Sequence, residues 1–109
     1  MLDVDPSLVA EYAEYHQPGN VPQPIIDSIR ESGVLNMRIY HFADRLIMIM
    51  DVADDFSFEA KSNSEAGNAD VDAWETLMNK YQREISDPSG RQTGKWKRAD
   101  QIFDLSSHK

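Results

Sequence analysis

Hydrophobic positions along this 109-residue chain recur at helical spacing in some stretches and alternate as in strands in others. The predicted elements are, in chain order, a strand end at 1–4, helices at 5–16 and about 23–32, strands at 34–42 and 45–52, helices at 54–66 and 71–85, and a strand at 96–105. The two middle strands are joined by a short turn and should form an antiparallel hairpin. This order indicates an α+β fold of the ferredoxin-like kind, an antiparallel sheet with helices on one face.

Residues that cap helices support these boundaries. Asp5 is the expected N-cap of the first helix, with Pro6 at its first position, and Asp55 or Ser57 lies near the cap of the third. Gly33 is expected to end the second helix, because glycine readily adopts the backbone conformation that follows a helix.

The middle hairpin differs in polarity between its two strands. Alternation at 34–42 places Leu35, Met37 and Ile39 on one face and Asn36, Arg38 and Tyr40 on the other. The strand at 45–52 is nearly all apolar, which predicts a central strand covered on both faces. The sheet face without helices should therefore be covered by a partner subunit or line a cavity.

Composition excludes several classes of function. The net charge of −8 argues against nucleic-acid binding, which needs clustered Lys and Arg. The absence of cysteine removes disulfides and thiolate catalysis. The longest apolar run, at 46–50, is too short for a membrane span, and no signal peptide is visible. We therefore expect a cytoplasmic protein that binds neither nucleic acid nor membrane.

The stretch "AEYAEYHQPGN" at 10–20 contains the strongest candidate for proton-transfer chemistry. His16 follows Tyr12 by four residues, so both side chains lie on one face of the helix. Imidazole titrates near neutrality and can donate or accept a proton. The alternative is a histidine placed at the helix end because the helix dipole favours it there.

Two further groups are open to both a functional and a structural interpretation. Trp74 and Tyr81 could bind a sugar ring, but they share a helical stripe with Leu77 and Met78 that is typical of core packing. Tyr40, with its polar neighbours on the strand, indicates either a hydrated cavity or interface or a solvent-facing edge.

No metal or cofactor is expected. The carboxylates of Asp51, Asp54 and Asp55 do not match a calcium loop, and helix capping explains the last two better. The chain has no glycine-rich phosphate loop, nucleophile elbow or cofactor fingerprint. An enzyme with this sequence would carry out acid–base chemistry on a small neutral molecule.

The order of several motifs resembles the L-rhamnose mutarotases and their L-fucose-type relatives. The matching stretches are "EYAEYHQP" (11–18), "IRESGVLNMRIY" (29–40), "RLIMIMDVADDF" (45–56), "VDAWETLM" (71–78) and "IFDL" (102–105). The resemblance covers nearly the whole chain and implies one mutarotase-like domain over 1–109, with a first strand that is short or truncated. It also implies a homodimeric α/β barrel that interconverts the α and β anomers of a 6-deoxyhexose, without a cofactor.

The resemblance assigns roles to particular residues. The catalytic histidine of the family falls on His16, its substrate-binding tyrosine on Tyr12 and the first of two site tryptophans on Trp74. The second tryptophan of the rhamnose type is Glu75 here, and a sugar-contacting strand tyrosine is Met37. The loop at 17–24 is two residues longer than in the rhamnose type and is similar to the fucose-like branch.

These assignments define the leading hypothesis and its rivals. His16 would donate a proton to the ring oxygen, Tyr12 would bind a sugar hydroxyl and Trp74 would stack on the sugar, while Tyr40 is a candidate for lining the cavity. A base is not identified, although Glu75 or a carboxylate-held water is an option. The alternatives are a non-catalytic sugar-binding domain and a cofactor-free monooxygenase of the dimeric α/β barrel class.

Overall fold

The computed structural model describes residues 1–108 as one sheet and a set of helices. The elements are β1 (Leu2–Val4), α1 (Val9–Tyr15), α2 (Gln23–Glu31), β2 (Val34–Phe42), β3 (Arg45–Val52), α3 (Phe58–Glu65), α4 (Ala69–Met78) and β4 (Gln82–Arg83). A 3₁₀ turn at Pro6–Leu8 leads into α1, and another lies at Leu105–Ser107. Lys109, the end of the predicted tail and domain, lies outside the described residues.

The sheet confirms the predicted fold class. Its strand order is β2-β3-β1-β4, and every neighbouring pair is antiparallel. The helical segments α1 and α2 connect β1 to β2, and α3 and α4 connect β3 to β4. This is the ferredoxin-like arrangement, in which the first strand lies between the third and the fourth. The predicted hairpin is present, and β1 is indeed short.

The main core lies between the sheet and the helices that cover one of its faces. Its buried members are Leu2, Val4, Tyr12, Leu46, Met78 and Tyr81. They come from β1, β3, α1, the end of α4 and the turn between α4 and β4, so the core joins distant parts of the chain. The core fixes α1 and α4 relative to each other, and both helices contribute to the site described below.

The opposite face of the sheet is open in the single chain. The register pairs Tyr40 with Ile47 and Arg38 with Ile49, which places these four side chains on that face. Ile47 is 38% exposed and Ile49 is 44% exposed. In the single chain β3 is central, as predicted, but only one of its faces is covered, and cover of the other face by a partner subunit or a cavity stays a prediction.

A β-bulge interrupts the predicted alternation of side chains along β2. Val34 pairs with Val52 and Asn36 pairs with Asp51, so Leu35 is an extra residue without a partner. Leu35 is consequently 71% exposed, whereas the prediction grouped it with Met37 and Ile39. The latter two remain half-buried on the helix-covered side.

The predicted caps are present, although Asp5 caps the 3₁₀ turn at Pro6–Leu8 and not α1, which begins at Val9. The Asp5 side chain accepts a hydrogen bond from the backbone N–H of Ser7, and the Ser57 side chain accepts one from Ala60 at the start of α3. Gly33 follows the end of α2 with φ = +93°, a conformation that favours glycine.

The predicted helix at 71–85 is confirmed as far as Met78 but is too long, and the predicted strand at 96–105 is wrong. Helix α4 ends at Met78, and Gln82–Arg83 form β4 because they pair with Val4 and Asp3 of β1. Within the segment 96–105, the Lys97 backbone N–H donates a hydrogen bond to the Met1 carbonyl oxygen at 2.8 Å. Residues 98–104 form no strand, and Ile102 is 97% exposed. The sheet therefore ends at β4.

Candidate functional site

Tyr12 and His16 are brought together by one turn of α1. Tyr12 faces the core and is only 4% exposed, while His16 lies at the C-cap and is partly buried. Their ring centroids are 4.3 Å apart with the planes inclined by 33°. The predicted helical spacing thus brings the two rings into contact, with Tyr12 on the core side of His16.

One hydrogen bond sets the chemistry of the imidazole. His16 Nδ1 lies 2.7 Å from the backbone carbonyl oxygen of Tyr12. A carbonyl oxygen only accepts, so Nδ1 carries the proton and donates it. The neutral ring therefore has its lone pair on Nε2, and the protonated ring has an exchangeable proton there. The geometry reserves Nε2 for any proton transfer.

The surroundings of His16 favour its neutral form. Burial lowers the pKa of His16 from its ordinary value of 6.5, and the hydrogen bond to the Tyr12 carbonyl opposes that change only in part. The imidazolium form is consequently a stronger acid than that of a free histidine.

Trp74 on α4 provides a second aromatic surface beside His16. The centroids of the two rings are 5.5 Å apart, and their planes are inclined by 66°. Trp74 is partly buried and packs against the core, in agreement with the stripe that it shares with Leu77. Both interpretations of this tryptophan thus have a structural basis, since it contacts the core and the imidazole together.

Gln82 completes the cluster, and the sequence analysis missed it. Its Nε2 lies 3.4 Å from the Tyr12 hydroxyl oxygen, although the two residues are 70 positions apart. Gln82 is 9% exposed, and its Oε1 is buried without a hydrogen-bond partner among the described residues. The predicted helix extended to residue 85, so the prediction did not place Gln82 in a strand beside β1.

The phenol of Tyr12 also responds to its neighbours. Burial raises its pKa above the ordinary value of 10.0, the hydrogen bond from Gln82 lowers it in part, and the charge of Glu75 raises it further. Tyr12 is therefore a neutral phenol near pH 7.

The chain is similar to known proteins over almost its whole length. The profile of the L-rhamnose mutarotase family matches residues 1–105. An L-fucose mutarotase of Xanthomonas campestris pv. campestris is 34% identical over 105 residues, which are 96% of this chain and 82% of that protein. A UPF0734 protein of Dictyostelium discoideum is 29% identical over 104 residues, 93% of this chain and 81% of that protein.

The chain belongs to the L-rhamnose mutarotase family. The predicted resemblance is thereby confirmed, as is the expectation of an isomerase that acts on carbohydrates.

The other predicted site residues of this mutarotase-family chain lie in three different places. Met37 is half-buried on the face of β2 that the helices cover. Tyr40 is 51% exposed on the opposite face, so the fold does not bring it to the His16 cluster within one chain. Glu75 lies next to Trp74 on α4, where its Oε2 is 2.5 Å from Lys95 Nζ.

Two surface depressions lie elsewhere on this mutarotase-family chain. One, of about 310 Å³, is lined by residues of the loop between Glu84 and Lys97. The other, of about 400 Å³, lies against Glu11, Glu14, Tyr15 and Asn20. Neither is lined by His16 or Trp74, so we base the site on the contacts of the aromatic cluster.

Residues 1–108 contain neither a cluster of metal ligands nor a long apolar helix. Within that range no group of three or more His, Cys, Asp or Glu side chains is placed to hold a metal ion. No helix of the same range combines the length and apolar character needed to cross a membrane.

We predict that His16 makes the stability of this chain depend on pH. Its pKa is lower in the folded chain than in the unfolded chain, so the unfolded chain binds more protons below pH 6.5. The free energy of unfolding should fall as the pH drops from about 7 through 6.5 and then towards the folded pKa.

The comparison is with His16→Gln, which cannot titrate in this range. Urea denaturation from pH 7.5 to 5 should show a smaller loss of stability in the variant than in the wild type. Equal losses in both proteins would mean that the pKa of His16 is not lowered by folding.

Proposed function

We propose that this protein interconverts the α and β anomers of a 6-deoxyhexose, with His16 as the proton donor. The observation that supports this most is the orientation of the imidazole. Nδ1 is held by the Tyr12 carbonyl at 2.7 Å, which leaves Nε2 for proton exchange next to the aromatic surface of Trp74. Membership of the L-rhamnose mutarotase family supports the same activity.

The proposed reaction consists of ring opening and closure. The Nε2–H of protonated His16 gives its proton to the ring oxygen while the anomeric hydroxyl loses its proton to a base. The bond between the anomeric carbon and the ring oxygen breaks, and the anomeric carbon becomes an aldehyde. Rotation about the adjacent carbon–carbon bond exposes the other face of the aldehyde. On closure the ring-oxygen hydroxyl adds to the aldehyde carbon and returns its proton to Nε2, while the base gives its proton to the carbonyl oxygen, which becomes the new anomeric hydroxyl.

The aromatic residues have separate roles in this proposal. Trp74 offers an apolar face on which the C–H groups of a sugar can stack. Tyr12 positions the imidazole through its ring and carbonyl, and its hydroxyl binds a sugar hydroxyl. The base that accepts the proton of the anomeric hydroxyl is proposed to be either Glu75, which forms an ion pair with Lys95, or a water molecule held by a carboxylate. Met37, half-buried on the helix-covered face of β2, is proposed to contact the sugar.

We favour L-fucose over L-rhamnose as the substrate. The resemblance places Met37 and Glu75 where the rhamnose type has aromatic residues, so a contact surface suited to rhamnose has changed. The relative that is 34% identical is named L-fucose mutarotase. The proposal therefore combines the type of reaction for which the family is named with an altered preference between two 6-deoxyhexoses.

The first test is saturation transfer by proton NMR between the α and β anomers, with L-fucose and L-rhamnose measured in parallel. We expect protein-dependent exchange with both sugars or with L-fucose alone. The rate of protein-dependent exchange should fall about a hundredfold or more in His16→Ala, because general acid catalysis accelerates a reaction by roughly that factor. The control is His108→Ala, an exposed histidine outside the cluster, which should match the wild type.

The outcomes distinguish the functions that the sequence left open. Exchange that persists in His16→Ala would contradict the role of His16. A sugar-induced rise in melting temperature without exchange would instead support a non-catalytic binding domain. Oxygen consumption with polyphenols, in place of exchange, would support a monooxygenase.

We also propose that a single domain over residues 1–109 functions as a homodimer in which two open sheet faces meet. The support is the set of large apolar side chains exposed on that face, namely Tyr40, Phe42, Ile47 and Ile49. An exposed apolar patch of this kind marks an interaction site. Tyr40 would then lie in the interface or in a cavity between the subunits.

Light scattering after size-exclusion chromatography should give twice the mass of the chain for the wild type. Ile49→Glu should shift it to the monomer mass, because two charges would otherwise be buried at the interface. Phe58→Glu is the control, because Phe58 is a similarly exposed apolar residue on α3. A monomeric wild type, or a dimer that Ile49→Glu leaves intact, would contradict the proposed interface.

A further inference from the structure

A buried amide lies behind the candidate site. Gln82 is on β4, where it pairs with Val4 of β1, and its side chain points into the interior. Its Nε2 is 3.4 Å from the hydroxyl oxygen of Tyr12, and its Oε1 has no partner among the described residues. The residue is 9% exposed, so water does not readily compensate the unpaired oxygen.

The stability of the fold does not by itself explain a buried glutamine at this position. A buried acceptor without a partner is penalised, whereas an apolar side chain of the same size at that position would avoid the penalty. The neighbouring core position Val4 is apolar, and Tyr81 is an aromatic core position whose hydroxyl also has no hydrogen-bond partner among the described residues. A glutamine that remains there needs an explanation other than packing.

The hydrogen bond to Tyr12 supplies such an explanation. An amide N–H that donates to the phenol oxygen occupies one acceptor position of that oxygen. The proton of the phenol must then point away from Gln82, where it can be donated to another oxygen. Tyr12 is also the residue whose ring and carbonyl hold His16.

We infer that Gln82 is a positioning residue that orients the Tyr12 hydroxyl towards the sugar and keeps it from turning back into the core. Gln82 acts through Tyr12 and does not itself touch the substrate. This inference rests on the proposed mutarotase function for its effect on turnover. The contact between Gln82 and Tyr12 can be tested without it.

The test compares Gln82→Met, which removes both polar atoms at similar volume, with Gln82→Glu, whose carboxylate accepts but does not donate. Gln101→Met is the matched control, because Gln101 is exposed in the C-terminal segment. Three quantities are measured for each protein: the melting temperature, kcat and KM for anomer exchange, and the pKa of Tyr12. The last comes from NMR of chains labelled at the tyrosine Cζ carbon.

We expect Gln82→Met to melt at the same temperature as the wild type or at a higher one. Its kcat/KM should fall about tenfold, which is the effect expected when one hydrogen bond is lost. The Tyr12 pKa should rise, since the Gln82 hydrogen bond lowers it. Gln82→Glu should not restore turnover, and Gln101→Met should change none of the three quantities.

A lower melting temperature with unchanged kcat/KM in Gln82→Met would overturn the inference and make Gln82 a structural residue. An unchanged Tyr12 pKa would overturn it as well. If the wild type exchanges neither sugar, the proposed function fails, and the Tyr12 pKa alone then decides whether Gln82 positions the phenol.

Discussion

The burial of Tyr12 is the constraint on which the candidate site depends. Its ring packs in the core that joins α1 to the sheet, and Tyr12 makes three contacts in the site, of which two are hydrogen bonds. The backbone carbonyl accepts from His16, the ring lies 4.3 Å from the imidazole, and the hydroxyl receives the Gln82 amide. A residue that helps to hold the fold together therefore also sets the orientation of the proposed acid.

Burial drives both titratable groups of the cluster towards their neutral forms. It lowers the pKa of His16 and raises that of Tyr12. A chain with a net charge of −8 thus presents an uncharged cluster to its substrate near pH 7. Such a site suits a neutral sugar, for which hydroxyl contacts and ring stacking matter more than charge. The lowered pKa also makes the protonated imidazole a stronger donor.

Local patterns predicted what depends on local interactions. The Asp5 cap, the Gly33 helix end and the hairpin all follow from residues close in sequence, and each was found. The proximity of Tyr12 and His16 was predictable for the same reason, because four residues make about one helical turn. The single-residue bulge at Leu35 was not visible, since the apolar alternation continues through it.

Long-range pairing decided what the sequence could not show. The apolar stripe of α4 continues to Tyr81, but the pairing of Gln82 and Arg83 with β1 ends the helix at Met78. That pairing also carries Gln82 to Tyr12, a contact across 70 positions for which the sequence contains no local signal. Residues 98–104 lie outside the sheet, which has β4 at its edge.

The most direct test of the role of His16 is the pH dependence of kcat/KM for anomer exchange, measured beside an NMR titration of the His16 ring. We predict that kcat/KM falls as the pH rises and that its midpoint coincides with the His16 pKa below 6.5, because only the imidazolium donates. A kcat/KM that rises with pH through that midpoint, or that ignores it, would contradict His16 as the proton donor.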